Sequence, residues 1–575
     1  MISLRTITIA FRASPRAVLA ALWAWVRGKR VRARNRLYSA AHESSEYYPL
    51  WISLVEAGKI DAYCSASKSL EELPPIIALV FGNADASAKD AERTIASLRS
   101  AFPTITAIHC SVDGVNGRTM PKAGLGDWLN SQIGAHPDAW LLPMMTGDEI
   151  AANAQRAIAC AMAYAPDGAI IYWDEDRLDG RKRRDPWLKP DWDELLFLAC
   201  DLLTGAGLFR ASAMAANGSS AEPVSSQAIA RAVISMASRP DGRSTPIHVP
   251  LILSHRKADS AFIAPEDRRT AIEAMWPEPI EVAAIAGLPD ASRPRFLTEL
   301  NLPKVSVLIP TRNRHELLGM CMHGLSKVEY AGGIETIVID NDSDEPETIE
   351  YLDQLRRSGT IVIDHPGPFN FSAMNNRAAR IATGELLCLL NNDIEMRDGA
   401  WLDSMARHAM RPGVGAVGAL LQYPDGTVQH AGVSIGTGNA AGHVYRGVPI
   451  ADTGHRDMHR LTRSVSAVTA ACMVVRREIF MEVGGLDEQA FRVAFNDVDF
   501  CLKLRAKGYR NIFAAEAHLT HHESKSRGCD FSDANRARYL GELERLQVKW
   551  ETKTFVDPYH HPLAMRSSEK FVLSP

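Results

Sequence analysis

The second half of the chain carries several polar turns whose residue types suit chemistry on a phosphorylated substrate. In LLCLLNNDIEM, an apolar run from Leu386 delivers Asn391, Asn392 and Asp393 into a loop. A carboxylate there can hold Mg2+ or Mn2+ against a departing diphosphate; the same residues also suit a helix N-cap before RDGAWLDSM. In AFNDVDFCLKLRAKGYR, Asp497 and Asp499 stand at the head of an amphipathic stretch. Either can serve as a base for an attacking hydroxyl, or both can simply stabilise a helix N-terminus. Asp340, Asn341, Asp342 and Ser343 close IETIVIDNDSD, where a carboxylate can accept hydrogen bonds from a base edge or ribose, or form an Asx turn. His518, His521 and His522 follow a late strand; an imidazole there can complete a metal's coordination or touch a diphosphate.

These residues need a frame that brings them together. VSVLIPT, IETIVID and ELLCLL read as strands alternating with helices, which implies a mostly parallel, doubly wound α/β sheet with its ligand end at the strand carboxyl termini. The first half has the same texture, from IIALVFG through AWLLPMM and GAIIYWDED. Pieces recur in order: WLLPMMTGDE with LLCLLNNDIE, LTGAGLFR with VTAACMVVRR, and IHVPLILSHR with IFAAEAHLTHH. The sequence therefore reads as a tandem duplication. The expected organisation is a basic helical segment over 1–60, one α/β domain over 61–287, a linker over 288–303, a second domain over 304–530, and a helix and tail over 531–575.

With 575 residues, more than one core is expected. A formal net charge of −4 gives no case for nucleic-acid binding. The nine cysteines are scattered without a CxxC pair, which suits buried reduced thiols of a cytoplasmic protein. No stretch approaches the ~20 apolar residues of a membrane span. The apolar run Ala17 to Val26 precedes Arg27, Lys29, Arg30, Arg32, Arg34 and Arg36. Heavy charge after the run rather than before it argues against a secretory signal. Residues 15–37 are expected to lie peripherally on the inner face of the cytoplasmic membrane through Val18, Leu19, Leu22, Trp23 and Val26, with a solvated basic helix as the alternative.

In this order the motifs resemble glycosyltransferase family 2, an inverting family with the GT-A fold. IPTRNR resembles its opening strand and IDNDS its acidic nucleotide turn. FNFSAMNNRAARIATGELLCLLNNDIE resembles its longest signature, and DGTVQHAGVSIG, FNDVDFCLKLRAKGYR and HHESKSRG resemble the continuation in bacterial rhamnosyltransferase-like members. The resemblance implies two tandem GT-A domains, the first degenerate. It implies a nucleotide-diphosphate sugar donor bound by Thr311, Arg314, Asp340 and Asn392, and Mg2+ or Mn2+ on Asp393 and His521. Asp497 becomes the catalytic base, with Asp499 as the alternative because Asn496 replaces an acid. The implied acceptor is a glycan or lipid-linked glycan, with hexosyl or deoxyhexosyl transfer in cell-surface polysaccharide synthesis. In the first half, LLPMMTGDE places Pro143 and Met144 where metal-binding polar groups are expected, and EPVSSQAIARAVISM offers no aspartate as base. Asp174, Glu175 and Asp176 remain as an alternative metal site, against a role in anchoring the Arg181–Arg184 loop. Other readings are a transferase with two active sites, a non-catalytic sugar-binding or membrane scaffold, and a nucleotidyltransferase; the last is disfavoured by the lack of glycine in PTRNRHE.

Overall fold

The computed structural model describes residues 2–66, 68–82, 87–111, 125–217, 225–238, 245–257, 261–297, 301–522 and 533–575. The chain forms two units: Met1–Thr298 with His561–Met565 and Val572–Pro575, and Glu299–His560 with Arg566–Phe571.

The second unit is built on one large sheet. Its strands run in the order Ile361–Asp364, Ile334–Asp340, Val305–Thr311, Leu386–Leu390, Cys472–Arg476, Val414–Gln422, Arg510–His521, Ile394–Met396. Val305–Thr311 and Leu386–Leu390 are buried at every residue, the pattern of strands covered on both faces. The helices His315–Leu325, Phe371–Ile381, Trp401–Met410 and Asn496–Ala506 belong to the same unit. Phe371, Met374, Ala378 and Ala379 pack with Leu308, Ile337 and Leu389, joining one helix to the sheet. The sheet is mixed: Cys472–Arg476 runs antiparallel to both neighbours. Apolar runs look alike in either direction, so periodicity could not show this.

The first unit repeats the plan. Its order is Ala107–Cys110, Ile76–Phe81, Trp140–Met145, Gly207–Arg210, Ile170–Asp179, Ile247–Lys257, Glu149–Ile150. Taken in chain order, each strand has a counterpart in the second unit at the same sheet position and in the same direction. The second unit adds Ile361–Asp364 at one edge.

Two boundaries differ from the sequence expectation. Leu288–Phe296, read as linker, is a strand paired with Ile280–Ile285. Its prolines sit in a two-stranded ribbon, where missing donors are tolerated. The tail is also divided, with 561–565 and 572–575 belonging to the first unit. Ahead of the first sheet lie the helices Leu4–Ala13, Pro15–Val26, Arg30–His42 and Ala57–Ala66. Val18 is buried, so it leaves the expected apolar face, whereas Leu19, Leu22, Trp23, Trp25 and Val26 are exposed. No helix among the described residues is long and apolar enough to cross a membrane. Of the eight described cysteines, all but Cys64 are buried.

Candidate active site in the second unit

Asn391, Asn392 and Asp393 fill the short gap between Leu386–Leu390 and Ile394–Met396. The second strand of that pair is hydrogen-bonded beside Arg510–His521, with Ile394 opposite His521. That register carries the His521 side chain to the gap, where Nε2 lies 3.0 Å from Asp393 Oδ1. Both side chains are buried. His521 Nδ1 lies 2.8 Å from Gln429 Oε1, so Nδ1–H donates to the amide oxygen. Asn391 Nδ2–H approaches the other ring nitrogen at 3.4 Å. In the neutral ring this leaves the Nε2 lone pair toward the carboxylate, an arrangement that suits a cation between them. Asn392 Nδ2–H donates to Thr311 Oγ1 at 2.9 Å, fixing the amide at the carboxyl end of Val305–Thr311.

Asp497 arrives from a different element. It stands in the first turn of Asn496–Ala506 and is half-buried. Its Oδ2 accepts the Ala470 N–H at 3.2 Å, and the next carbonyl, Ala471, accepts the Asn391 N–H at 2.9 Å. Asp497 and the Asn391–Asp393 turn are thus each one hydrogen bond from consecutive residues of one segment. The preceding Thr469 N–H approaches His430 Nε2 at 3.5 Å, and His430 Nδ1 lies 3.1 Å from His443 Nδ1. Burial, helped by His443 and Arg463, holds His430 far below the usual imidazole range, so it is neutral. Burial also pushes His518 down to about 4. His518 Nε2 lies 2.8 Å from Gln422 Oε1, apart from the Asp393–His521 contact.

Asp499 has a different task. It is fully buried, and its Oδ1 accepts the Trp550 indole N–H at 2.8 Å and meets Lys549 Nζ at 2.7 Å. It ties its helix to the C-terminal helix Asp533–Lys549. That helix also supplies Glu542, whose carboxylate accepts the N–H groups of Arg492, Val493 and Ala494 at 3.0, 3.3 and 2.8 Å. These bonds hold the loop before Asp497, in which Phe495 adopts the left-handed φ of 61°. Sequence reading had singled out neither Glu542 nor Gln429.

The nucleotide-side residues are less converged. Asp340 lies opposite Thr311 in register, but its Oδ1 is engaged by the hydroxyl and N–H of Ser343. The Arg314 side chain is exposed, and its N–H caps onto Glu345 Oε2 at 2.9 Å. Asn313, Arg314 and Asp342 are all left-handed, with φ of 53°, 59° and 53°. Asn313 Oδ1 accepts from the Asp344 and Glu345 N–H groups, so this turn is locked before any ligand arrives. An open cleft of about 450 Å³ is lined by Glu395, Met396, Arg397, Gln422, Pro424 and Thr520, residues adjoining Asp393 and His521 in sequence. In HHESKSRG, only His521 and His522 lie within the described residues.

Residues 306–484 match the model of Glycosyl transferase family 2. The chain belongs to that family. A similar protein is the uncharacterized protein y4gI of Sinorhizobium fredii, 36% identical over 71% of this chain and 46% of its own length. O-antigen biosynthesis protein RfbC of Myxococcus xanthus is 34% identical over 67% of this chain and 31% of its own length. N-acetylglucosaminyl-diphospho-decaprenol L-rhamnosyltransferase of Mycobacterium tuberculosis is 28% identical over 24% of this chain and 48% of its own length. The chain thus spans less than half the length of these curated relatives. Among solved structures, the mannosyltransferase PcManGT of Pyrobaculum calidifontis with GDP-Man and Mn2+ is 18% identical, covering 45% of this chain and 67% of that one at a TM-score of 0.32.

The first unit's version of this site corrects one reading and refines another. Thr146, Gly147 and Asp148 fill its gap between Trp140–Met145 and Glu149–Ile150, and Glu149 lies opposite His255. Asp148 and His255 are therefore the positional equivalents of Asp393 and His521. Pro143 and Met144 lie within the strand, ahead of the gap. Asp148 Oδ1 accepts the Lys257 N–H at 2.8 Å, and its Oδ2 lies 3.6 Å from Arg256 Nε. His255 Nδ1 meets Asp176 Oδ1 at 2.8 Å instead. Asp174, Glu175 and Asp176 do not form one site. Glu175 pairs with Lys189 and Arg256, whereas Asp176 takes Tyr48, His255 and Arg183, the last as the anchoring reading expected.

Proposed function

We propose that the second unit transfers a sugar, with inversion, from a nucleoside-diphosphate donor to a hydroxyl of a glycan or lipid-linked glycan in cell-surface polysaccharide synthesis. The observation that carries this reading is the His521–Asp393 contact at 3.0 Å, with Gln429 taking the far imidazole proton. A buried carboxylate beside an imidazole held by Gln429 through its other nitrogen suits Mg2+ or Mn2+, which when bound would neutralise charge on the departing diphosphate. Asn392 and Thr311 line the same turn and are assigned to the donor's ribose and diphosphate side. Asp340 is assigned to the base or ribose, and Arg314 to the outer nucleotide pocket. Asp497 removes the proton from the acceptor hydroxyl as it attacks the anomeric carbon. Asp499 is unsuited to that task, since Lys549 and Trp550 already occupy it. The names of RfbC and of the rhamnosyltransferase support a surface glycan as product and hexosyl or deoxyhexosyl transfer.

The test is a screen of nucleotide sugars against glycan and lipid-linked acceptors, read by nucleoside-diphosphate release with and without Mn2+ or Mg2+. Metal-dependent release that Asp393→Ala abolishes supports the reading. Unchanged release by that variant would reject Asp393 as the ligand. The two-site alternative expects about half the transfer to survive, and the scaffold alternative expects sugar binding without release.

A peripheral contact with an anionic membrane face is proposed for Leu19, Leu22, Trp23, Trp25 and Val26, with the arginines that follow them. The five are more than half exposed, and Arg27 lies over the Trp23 ring. Co-sedimentation with anionic vesicles should fall with salt, as charge is screened within ~10 Å, and should be lost when Leu22 and Trp23 become serine.

A further inference from the structure

Three buried polar side chains of the first unit meet where the second unit places the Phe513 ring beside Arg463 and His430. Matched register pairs precede an irregularity in both sheets: Ile171–Ile247, Tyr172–His248 and Trp173–Val249 in one, and Val417–Ile512, Gly418–Phe513 and Ala419–Ala514 in the other. His248 thus occupies the position of Phe513, a fully buried core residue. An imidazole at such a place needs polar partners. Its Nε2 lies 3.0 Å from Oδ1 of Asp174, a carboxylate with no exposure. His561, from the C-terminal segment that belongs to this unit, brings Nε2 to 2.7 Å from Asp174 Oδ2. All three ligand-type atoms lie within 4.8 Å of one another. The donors of a tetrahedral ion with ~2.0–2.1 Å bonds stand roughly 3.3 Å apart, within the span seen here.

Two further observations point to a cation. Asp174 Oδ2 and His561 Nε2 are sealed from solvent and face each other at 2.7 Å. His248 Nδ1 lies 3.2 Å from Asp191 Oδ1, the carboxylate–imidazole relay that orients a metal-bound histidine. The Lys189 N–H, donating at 2.8 Å, braces Asp174 Oδ1.

We propose that Asp174, His248 and His561 bind one divalent transition-metal ion, Zn2+ by the chemistry of a donor set with two imidazoles and one carboxylate. The site is independent of the ion proposed for Asp393. Its ligands come from two strands and the C-terminal segment, so the ion fastens that segment to the first unit. The competing arrangement is a metal-free clamp. The Leu563 N–H reaches His561 Nδ1 at 3.0 Å, a geometry that puts the ring proton on Nε2, facing Asp174.

The experiment uses the full chain carrying Asp393→Ala, which removes the other proposed metal ligand. Zinc is measured by mass spectrometry after purification without chelator, then by titration of Zn2+ against a chromophoric chelator. About one equivalent should be retained, His561→Ala should lose it, and Asp191→Asn should weaken binding by ~10–100-fold. Wild-type thermal melts with and without EDTA need no variant, and the chelator should lower the midpoint. Failure of the parent to retain or take up zinc, with a melt indifferent to EDTA, would overturn the site in favour of the clamp. So would a His561→Ala protein that binds zinc as tightly as its parent.

Discussion

The two units place an aspartate and a histidine at equivalent points of matching sheets, and the residue after the histidine separates them. In the first unit it is Arg256, whose guanidinium approaches Asp148 while His255 turns to Asp176. In the second it is His522, which turns outward to Glu395 at 2.8 Å and leaves His521 facing Asp393. An arginine beside the carboxylate supplies from within the protein the positive charge that a bound ion would otherwise bring. The comparison teaches that one frame can either present an acid to a ligand or satisfy it internally, and that a neighbouring cation makes the difference.

The largest expected effect comes from Asp497, whose counterpart region in the first unit, the helix Ser226–Ala237, contains no carboxylate. Asp497→Asn should lower turnover by ~10²–10⁴-fold with donor affinity nearly unchanged, because the amide cannot accept the acceptor's proton. Turnover near wild type in this variant, with loss in Asp499→Asn, would move the base to Asp499. Next, His522→Arg should make the second unit imitate the first: a guanidinium drawn to Asp393 should weaken Mn2+ activation by ~10–100-fold, as loss of a metal site's supporting shell does. Equal Mn2+ dependence in variant and parent would break the comparison.

Gln429→Leu probes the same point from the far side of the imidazole. Without the Gln429 acceptor, His521 can move its proton to Nε2, so the metal concentration for half-maximal activity should rise by ~10-fold or more. A change in thermal midpoint alone would reduce Gln429 to packing. Asp148→Asn should leave transfer unchanged, since its partners are already within the first unit; measurable loss of transfer would reopen the two-site alternative.

The smallest effect is on stability. Burial would raise Glu516, but His408 Nε2 at 2.7 Å, together with Thr462 and Ser404, outweighs it and holds the carboxyl down at about 2. A depressed carboxylate stabilises the fold above its unfolded value of ~4.3, and that contribution disappears as pH falls toward 2. Midpoints of wild type and Glu516→Gln should therefore differ at pH 7 and converge on acidification. A gap independent of pH would show that the charge contributes nothing.

Legibility in the sequence followed the distance over which a residue acts. Asp393, Asp497 and His521 could be read because each is a reactive type at the end of an apolar strand or the head of a helix. Much of the long signature serves structure instead. Asn376 donates to the Leu486 carbonyl and accepts from the Leu486 N–H, bracing a turn whose Gly485 has φ of 66°; a Cβ there would meet Asn376 Oδ1 at 2.5 Å. Ser372 donates to the Phe491 carbonyl. Glu542 and Lys549 act on the 492–499 region from a distant helix, and a charged helical face carries no sign of its target. The prolines of Leu288–Phe296 hid a strand that buries Leu288, Ala291, Pro294 and Phe296.

The return of residues 561–565 and 572–575 to the first unit bears on the order of synthesis. Tyr47 and Trp51 donate to the carbonyls of Leu573 and Ser574, more than 520 positions later in the chain. On a ribosome, the first unit is consequently completed only after the whole second unit has emerged. Until residues 561–575 follow it, two aromatic donors and the Asp174 carboxylate lack these partners, a period in which the nascent first unit is most open to a chaperone or protease.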